Sequence, residues 1–216
     1  MIRRHFISAA VLAIASGLPL SGAFAQSATT GPTVLILGDS LSAEYGLKRG
    51  EGWVALLEKR LAKEKIPARI VNASISGETT AGGRSRLNAL LTQHKPDTVV
   101  IELGGNDALR GLPVAQTQAN LAAMVDAAKV SGAKVLILGI QVPPNYGMAY
   151  LNSFSKIFAS VSTTSKVPAV PFMLKGVADG PDAASMFQPD RIHPVAAAHP
   201  RILDNIWPEL RKLIAQ

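Results

Sequence analysis

Five short, β-prone apolar runs alternate with helix-patterned segments along this chain, and few architectures accept that order. Thr33-Val34-Leu35-Ile36-Leu37 is continuously apolar after its threonine and meets glycine at its end. A run without polar alternation suits a strand buried on both faces. Residues 52–65 then set Trp53, Leu56, Leu57 and Leu61 at helical spacing, and Pro67 closes the helix. Arg69-Ile70-Val71, residues 98–103 and residues 134–138 read as further strands, and residues 168–172, with Pro168 and Pro171, as a short edge strand. Helices are predicted over 79–94, 115–130, 147–165 and 196–213. Gly132 suits the end of the second of these, and bends are predicted near Pro200 and Pro208 of the last. Strands that alternate with helices run parallel, so the chain is expected to form a three-layer α/β/α sandwich around about five parallel strands. Ligands of such sheets sit beyond the carboxyl ends of the strands. That rule singles out the loops at 38–46, 72–79, 104–113 and 141–147.

The first residues follow a different logic. Arg3 and Arg4 precede an apolar run from Ile7 to about Leu20, and Ala23-Phe24-Ala25 precedes Gln26. A basic start, a short apolar stretch and small residues at the cut describe a secretory signal peptide over 1–25, with 26–216 as a single domain. Ser8, Ser16, Gly17, Ser21 and Gly22 interrupt the run, which argues against a membrane span. An exported protein, periplasmic or secreted, is expected. Arg3-Arg4-His5-Phe6-Ile7 also resembles a twin-arginine signal, so both export routes stay open.

The sequence contains no cysteine. Thiol catalysis, zinc sites built on cysteine, disulfides and a lipid-modified cysteine are thereby excluded, and stability must come from the core. Hydrophobic residues, at 48%, suffice for one. The formal charge is +7, of which Arg3 and Arg4 supply two. The remaining cations are scattered without interleaved aromatics, so no nucleic-acid partner is expected, and contact with anionic membrane surfaces is expected to be weak. A monomer is expected.

The chemistry sits at the predicted strand ends. Gly38-Asp39-Ser40 leaves the first strand, with Gly38 read as permitting a tight turn and Ser40 as exposed at its end. Serine needs a nearby base to act as a nucleophile. Asp190-Arg191-Ile192-His193 supplies one: across one turn the carboxylate can hold one ring nitrogen of His193, leaving the other to take the Ser40 proton. Gly77 can bring a backbone N–H close to a substrate, and Asn106 of Gly104-Gly105-Asn106-Asp107 a side-chain N–H. With the N–H of Ser40 these make an oxyanion hole. Each element alone also reads as an ordinary turn or cap.

Together, in this order, they resemble the SGNH (GDSL) hydrolase family: Gly-Asp-Ser-Leu, Gly77, Gly-Gly-Asn-Asp and Asp-x-x-His-Pro. Leu109-Arg110-Gly111-Leu112 and Pro143-Pro144-Asn145-Tyr146-Gly147 are similar to the secreted bacterial branch of thioesterases, lysophospholipases and arylesterases. The resemblance covers nearly all of residues 33–213. It implies flavodoxin-like strand order and hydrolysis of acyl esters and thioesters without metal or cofactor. Ser40 would be nucleophile and first oxyanion donor, Gly77 and Asn106 the other donors, His193 the base and Asp190 its orienting acid. Leu109, Leu112 and Tyr146 are candidates to line an acyl groove. Where that branch often carries Gly and Asn around Ile-His-Pro, Arg191 and Val195 stand here, which points to a bulkier, more basic entrance. His199 is a weak rival base, Asp107 is read as structural, and His94 as a helix end. Glu44 and Tyr45 lie near the site without an assigned role. Two alternatives remain at this level: a carbohydrate acetylesterase of the same fold, and a non-catalytic module that binds an acyl ligand.

Overall fold

The computed structural model describes residues 31–142 and 146–215. The expected signal peptide lies outside the described residues. Five strands form one parallel sheet: β1 (Thr33–Gly38), β2 (Arg69–Asn72), β3 (Thr98–Glu102), β4 (Lys134–Leu138) and β5 (Ala169–Val170). Their spatial order is β2-β1-β3-β4-β5, all neighbours parallel. The continuous apolar runs occupy the centre: every residue of β1 and β3 is buried. Strand β2, at one edge, leaves Arg69 and Asn72 exposed.

The helices are α1 (Trp53–Glu64), α2 (Thr80–His94), α3 (Gly105–Leu109), α4 (Val114–Val130), α5 (Met148–Ser165) and α6 (His199–Ile214). The step from β1 to β2 runs one way along the sheet and every later step the other way. Right-handed crossovers then put the connecting helices on opposite faces. Accordingly α1 packs with α6 on one face, while α2, α4 and α5 pack side by side on the other. Trp53, Leu57 and Leu61 bury the inner side of α1, and Ile202, Ile206 and Leu210 that of α6.

Several local readings are refined. Strand β5 shrinks to two residues because Pro168 and Pro171 have no N–H to give the ladder; Pro168 takes part only through its carbonyl, which accepts from Ile137 N–H. The final helix begins as a 3₁₀ turn over Ala196–Ala198. Pro200 falls in the first turn of α6, where its missing N–H costs nothing. α6 continues through Pro208, with Ile206, Trp207 and Leu210 buried on both sides of the proline. The loop read over 104–113 contains α3. Among the described residues no helix is long and apolar enough to cross a membrane.

Candidate active site

Strands β1 and β3 are neighbours whose connections depart in opposite directions, and the crevice beyond their carboxyl ends is where a doubly wound sheet binds ligands. Ser40 stands two residues past β1, in a helical turn closed by hydrogen bonds from Ser42 N–H and Ala43 N–H to the Asp39 carbonyl. Gly38 is required for space rather than for the turn. It pairs with Glu102 across the ladder, and a Cβ there would meet Glu102 Oε2 at 2.8 Å and Ser42 Cβ at 2.9 Å.

His193 reaches Ser40 from the far end of the chain. Its Nε2 lies 2.8 Å from Ser40 Oγ, and its Nδ1 lies 2.7 Å from Asp190 Oδ2. The other carboxylate oxygen of Asp190 accepts from Ile192 N–H at 2.9 Å and His193 N–H at 3.0 Å. Burial pushes the Asp190 carboxyl up, but these two N–H groups, the ring hydrogen bond and the charge on His193 outweigh it and hold the group at about 2. An ionised Asp190 fixes the proton of neutral His193 on Nδ1, which leaves Nε2 free to accept from the Ser40 hydroxyl.

What holds the two loops together was not read from the sequence. Gln188 Nε2 donates to the Tyr45 carbonyl (2.9 Å) and to the Pro194 carbonyl (3.1 Å), joining the serine loop to the histidine loop. Gln188 N–H also donates to the His193 carbonyl (2.8 Å), and Phe187 bridges antiparallel to Pro194. The Tyr45 ring covers His193, with centroids 4.3 Å apart. Glu44 serves the fold, since its carboxylate accepts from Gly50 N–H and Gly52 N–H at the start of α1. A lone glutamine carries no sequence signal of this kind, because its partners are backbone carbonyls.

Ser40, Gly77 and Asn106, the three expected oxyanion donors, all line one cavity, which His193 lines as well. Among the described residues neither Ser40 N–H nor Gly77 N–H has an acceptor. Gly77 has φ +79°, a conformation that favours glycine, and a Cβ would find its nearest neighbour, Arg110 Nη2, only at 3.8 Å. The restriction there is conformational, not steric. Arg110 also donates to the Gly77 carbonyl at 2.9 Å. Asn106 donates from Nδ2 to Asp39 Oδ2 at 3.0 Å. Asp39 in turn accepts from Leu41 N–H at 3.0 Å, and its own N–H donates to Glu102 Oε2 (3.2 Å). Ser42 Oγ donates to the same Glu102 oxygen (2.8 Å) while accepting from Trp53 Nε1 (3.1 Å).

The cavity measures about 740 Å³. Its apolar wall includes Leu109, Ile140, Val142, Phe172, Leu174 and Phe187. Of the three groove candidates Leu109 lines this cavity, whereas Leu112 and Tyr146 are not among its described lining residues. The Leu112 carbonyl accepts from Tyr150 Oη, and Tyr146 starts an aromatic ladder through Tyr150 and Phe154 to Phe158 that packs α5 on the core. Arg191 does line the cavity, with φ +58°. His199 is not a rival base. It is 2% exposed and its Nδ1 accepts from Trp53 N–H at 3.0 Å, pinning α6 to α1. Asp107 is structural, accepting from Thr80 N–H (2.8 Å) at the start of α2.

This arrangement matches known proteins along most of its length. The profile of the GDSL-like lipase/acylhydrolase family matches residues 36–201. Esterase TesA of Pseudomonas aeruginosa is 55% identical over 182 residues, covering 84% of this chain and 89% of that protein. Thioesterase 1/protease 1/lysophospholipase L1 of Escherichia coli K12 is 41% identical over 187 residues, 87% of each chain. The crystal structure of the psychrotrophic esterase EstA from a Pseudoalteromonas species, inhibited by monoethylphosphonate, superposes with a TM-score of 0.80 at 40% identity, covering 86% of this chain and all of that one. The chain belongs to the GDSL-like lipase/acylhydrolase family.

Proposed function

We propose that this protein is an exported carboxylic-ester hydrolase that cleaves acyl esters and thioesters through an acyl-Ser40 intermediate. The observation that carries the reading is the unbroken line from Asp190 through His193 to Ser40 Oγ, opening onto an apolar cavity beside two unengaged backbone N–H groups. His193 takes the Ser40 proton as Oγ attacks the acyl carbon. The carbonyl oxygen becomes an oxyanion facing Ser40 N–H, Gly77 N–H and the Asn106 amide. His193 then returns the proton to the departing alcohol or thiol, and the same sequence with water as nucleophile releases the acid. The names of the relatives, esterase, thioesterase and lysophospholipase, support this substrate range.

The predominantly apolar wall favours an acyl chain over a sugar, and so weighs against the carbohydrate acetylesterase. The leader over residues 1–25 supports export. Hydrolysis of p-nitrophenyl esters from acetyl to palmitoyl tests the reading. The wild type is expected to turn over chains longer than acetyl, and S40A to lose at least ~10³-fold in kcat. Unchanged turnover by S40A would end it. Preference for acetyl esters would restore the acetylesterase.

A further inference from the structure

Behind the oxyanion hole lies a second acid pair that the mechanism above does not use. Glu102, the last residue of β3, is fully buried, and Asp39 is 2% exposed. Among the described residues no lysine or arginine lies within ion-pair distance of either. The titratable groups that face Asp39 are Glu102, from β3, and His193, from the loop after β5. Glu102 Oε1 is buried without a partner. Two carboxyl groups packed together without a cation resist ionising together. Burial first, and then the charge on Asp39, push Glu102 well above the usual glutamate range. Burial also raises Asp39, but the Leu41 N–H, the Asn106 amide, Glu102 and the charge on His193 limit it to about 6. At neutral pH Asp39 therefore carries the charge, and Glu102 is the more reluctant of the two to ionise.

We propose that Asp39 is a positioning residue for the oxyanion hole: anchored from behind by Glu102, it fixes which way round the Asn106 amide stands. The inference rests on the reading of Asn106 as an oxyanion donor. The two oxygens of an ionised carboxylate only accept. Oδ1 takes Leu41 N–H and Oδ2 takes one N–H of Asn106, so the amide turns its NH₂ end to Asp39 and keeps its second N–H for the cavity. An amide standing the other way would set two acceptors against each other. Glu102 holds the Asp39 peptide by its N–H and is itself held through Ser42 by Trp53.

The substitution Asp39→Asn reverses this logic. Leu41 N–H still requires an acceptor, so the new side chain keeps its oxygen there and turns its NH₂ toward Asn106. Two donors then face each other, and the Asn106 amide flips, taking its N–H groups away from the oxyanion. Protonation of Asp39 on Oδ2 has the same effect.

The test is a double-mutant cycle of D39N and N106A on a p-nitrophenyl ester, with Tm recorded for each variant. D39N is expected to lower kcat by ~10²-fold, close to the loss of a single oxyanion donor, with KM within about twofold, because the ground-state ester carries no oxyanion. In the N106A background the same substitution should cost less than about threefold. Additive losses, accompanied by a drop in Tm, would mean that Asp39 only supports the fold and would overturn the proposal. A measurement on the wild type does not depend on the variant folding: the side-chain amide resonances of Asn106 should shift with an ionisation near pH 6 that also appears in the acid limb of kcat. Resonances unmoved across that range would overturn it too. Activity surviving S40A would instead defeat the proposed function itself, so the two failures are distinguishable.

Discussion

Two aspartates flank the nucleophile, and the protein treats them in opposite ways. Asp190 lies on a surface turn, accepts two backbone N–H groups and a ring N–H, and is held at about 2. Asp39 lies in the floor, backs onto another carboxyl group and is lifted to about 6. Depth of burial and the number of donors separate them: Asp39 is buried and its carboxylate accepts one backbone N–H and one amide N–H, whereas Asp190 is exposed and accepts two backbone N–H groups and a ring N–H. The triad needs a permanent anion to orient an imidazole, and N–H groups supply that anywhere on a turn. The floor, on the proposal above, needs an anion that only accepts, and Asp39 is buried immediately after β1.

The comparison breaks most visibly at Asp190. D190N keeps the shape but removes the anion, so His193 loses the reason to carry its proton on Nδ1. A fall in kcat of ~10⁴-fold is expected, far larger than that of D39N, and a loss below tenfold would show that the turn alone holds the ring. The pH dependence of stability should separate the two acids by sign. A depressed carboxylate stabilises the fold above the ordinary aspartate value and loses that contribution as pH falls toward 2. A raised one stabilises the fold below its ordinary value and loses that contribution as pH rises through about 6.

Glu102 sharpens the second half of that statement. A carboxyl group that the fold makes harder to ionise costs stability at neutral pH, and glutamine has no proton to release. E102Q is therefore expected to raise Tm by a few degrees at pH 7.5 and to lose that advantage below about pH 4. A Tm gain independent of pH would point to packing instead. The smallest effect is expected at Arg191, which sits at φ +58° with its side chain in the cavity wall. R191G should relieve roughly 1 kcal/mol of backbone strain and change the ratio of thioester to ester turnover. An unchanged ratio would remove Arg191 from substrate selection.

Much of this was legible because both the fold and the triad are written in local patterns. Continuous apolar runs identified β1, β3 and β4, and loops at the strand ends located Ser40, Gly77 and Asn106 before any geometry was known. Asp190 and His193 are close in sequence, so one turn could join them. The rest depends on distance along the chain. Gln188 acts on carbonyls, which every residue has, so its type announces nothing. Glu102 reads as one polar residue ending a strand, and only the ladder that sets it against Gly38 gives it a reason. Leu112 and Tyr146 were misplaced because an apolar loop residue near a site can serve either the ligand or the core, and the aromatic ladder on α5 claimed Tyr146 for the core. Pro208 does not end α6, because burial on both sides of the proline outweighs one missing hydrogen bond.

The triad also spans the chain: Ser40 and His193 are 153 residues apart. The histidine loop is seated by Gln188 and by the docking of α6, both close to the C-terminus. A chain still emerging from the ribosome therefore presents Ser40, Gly77 and Asn106 long before Asp190 and His193, so the arrangement proposed for hydrolysis is assembled only when nearly all of the chain has been made.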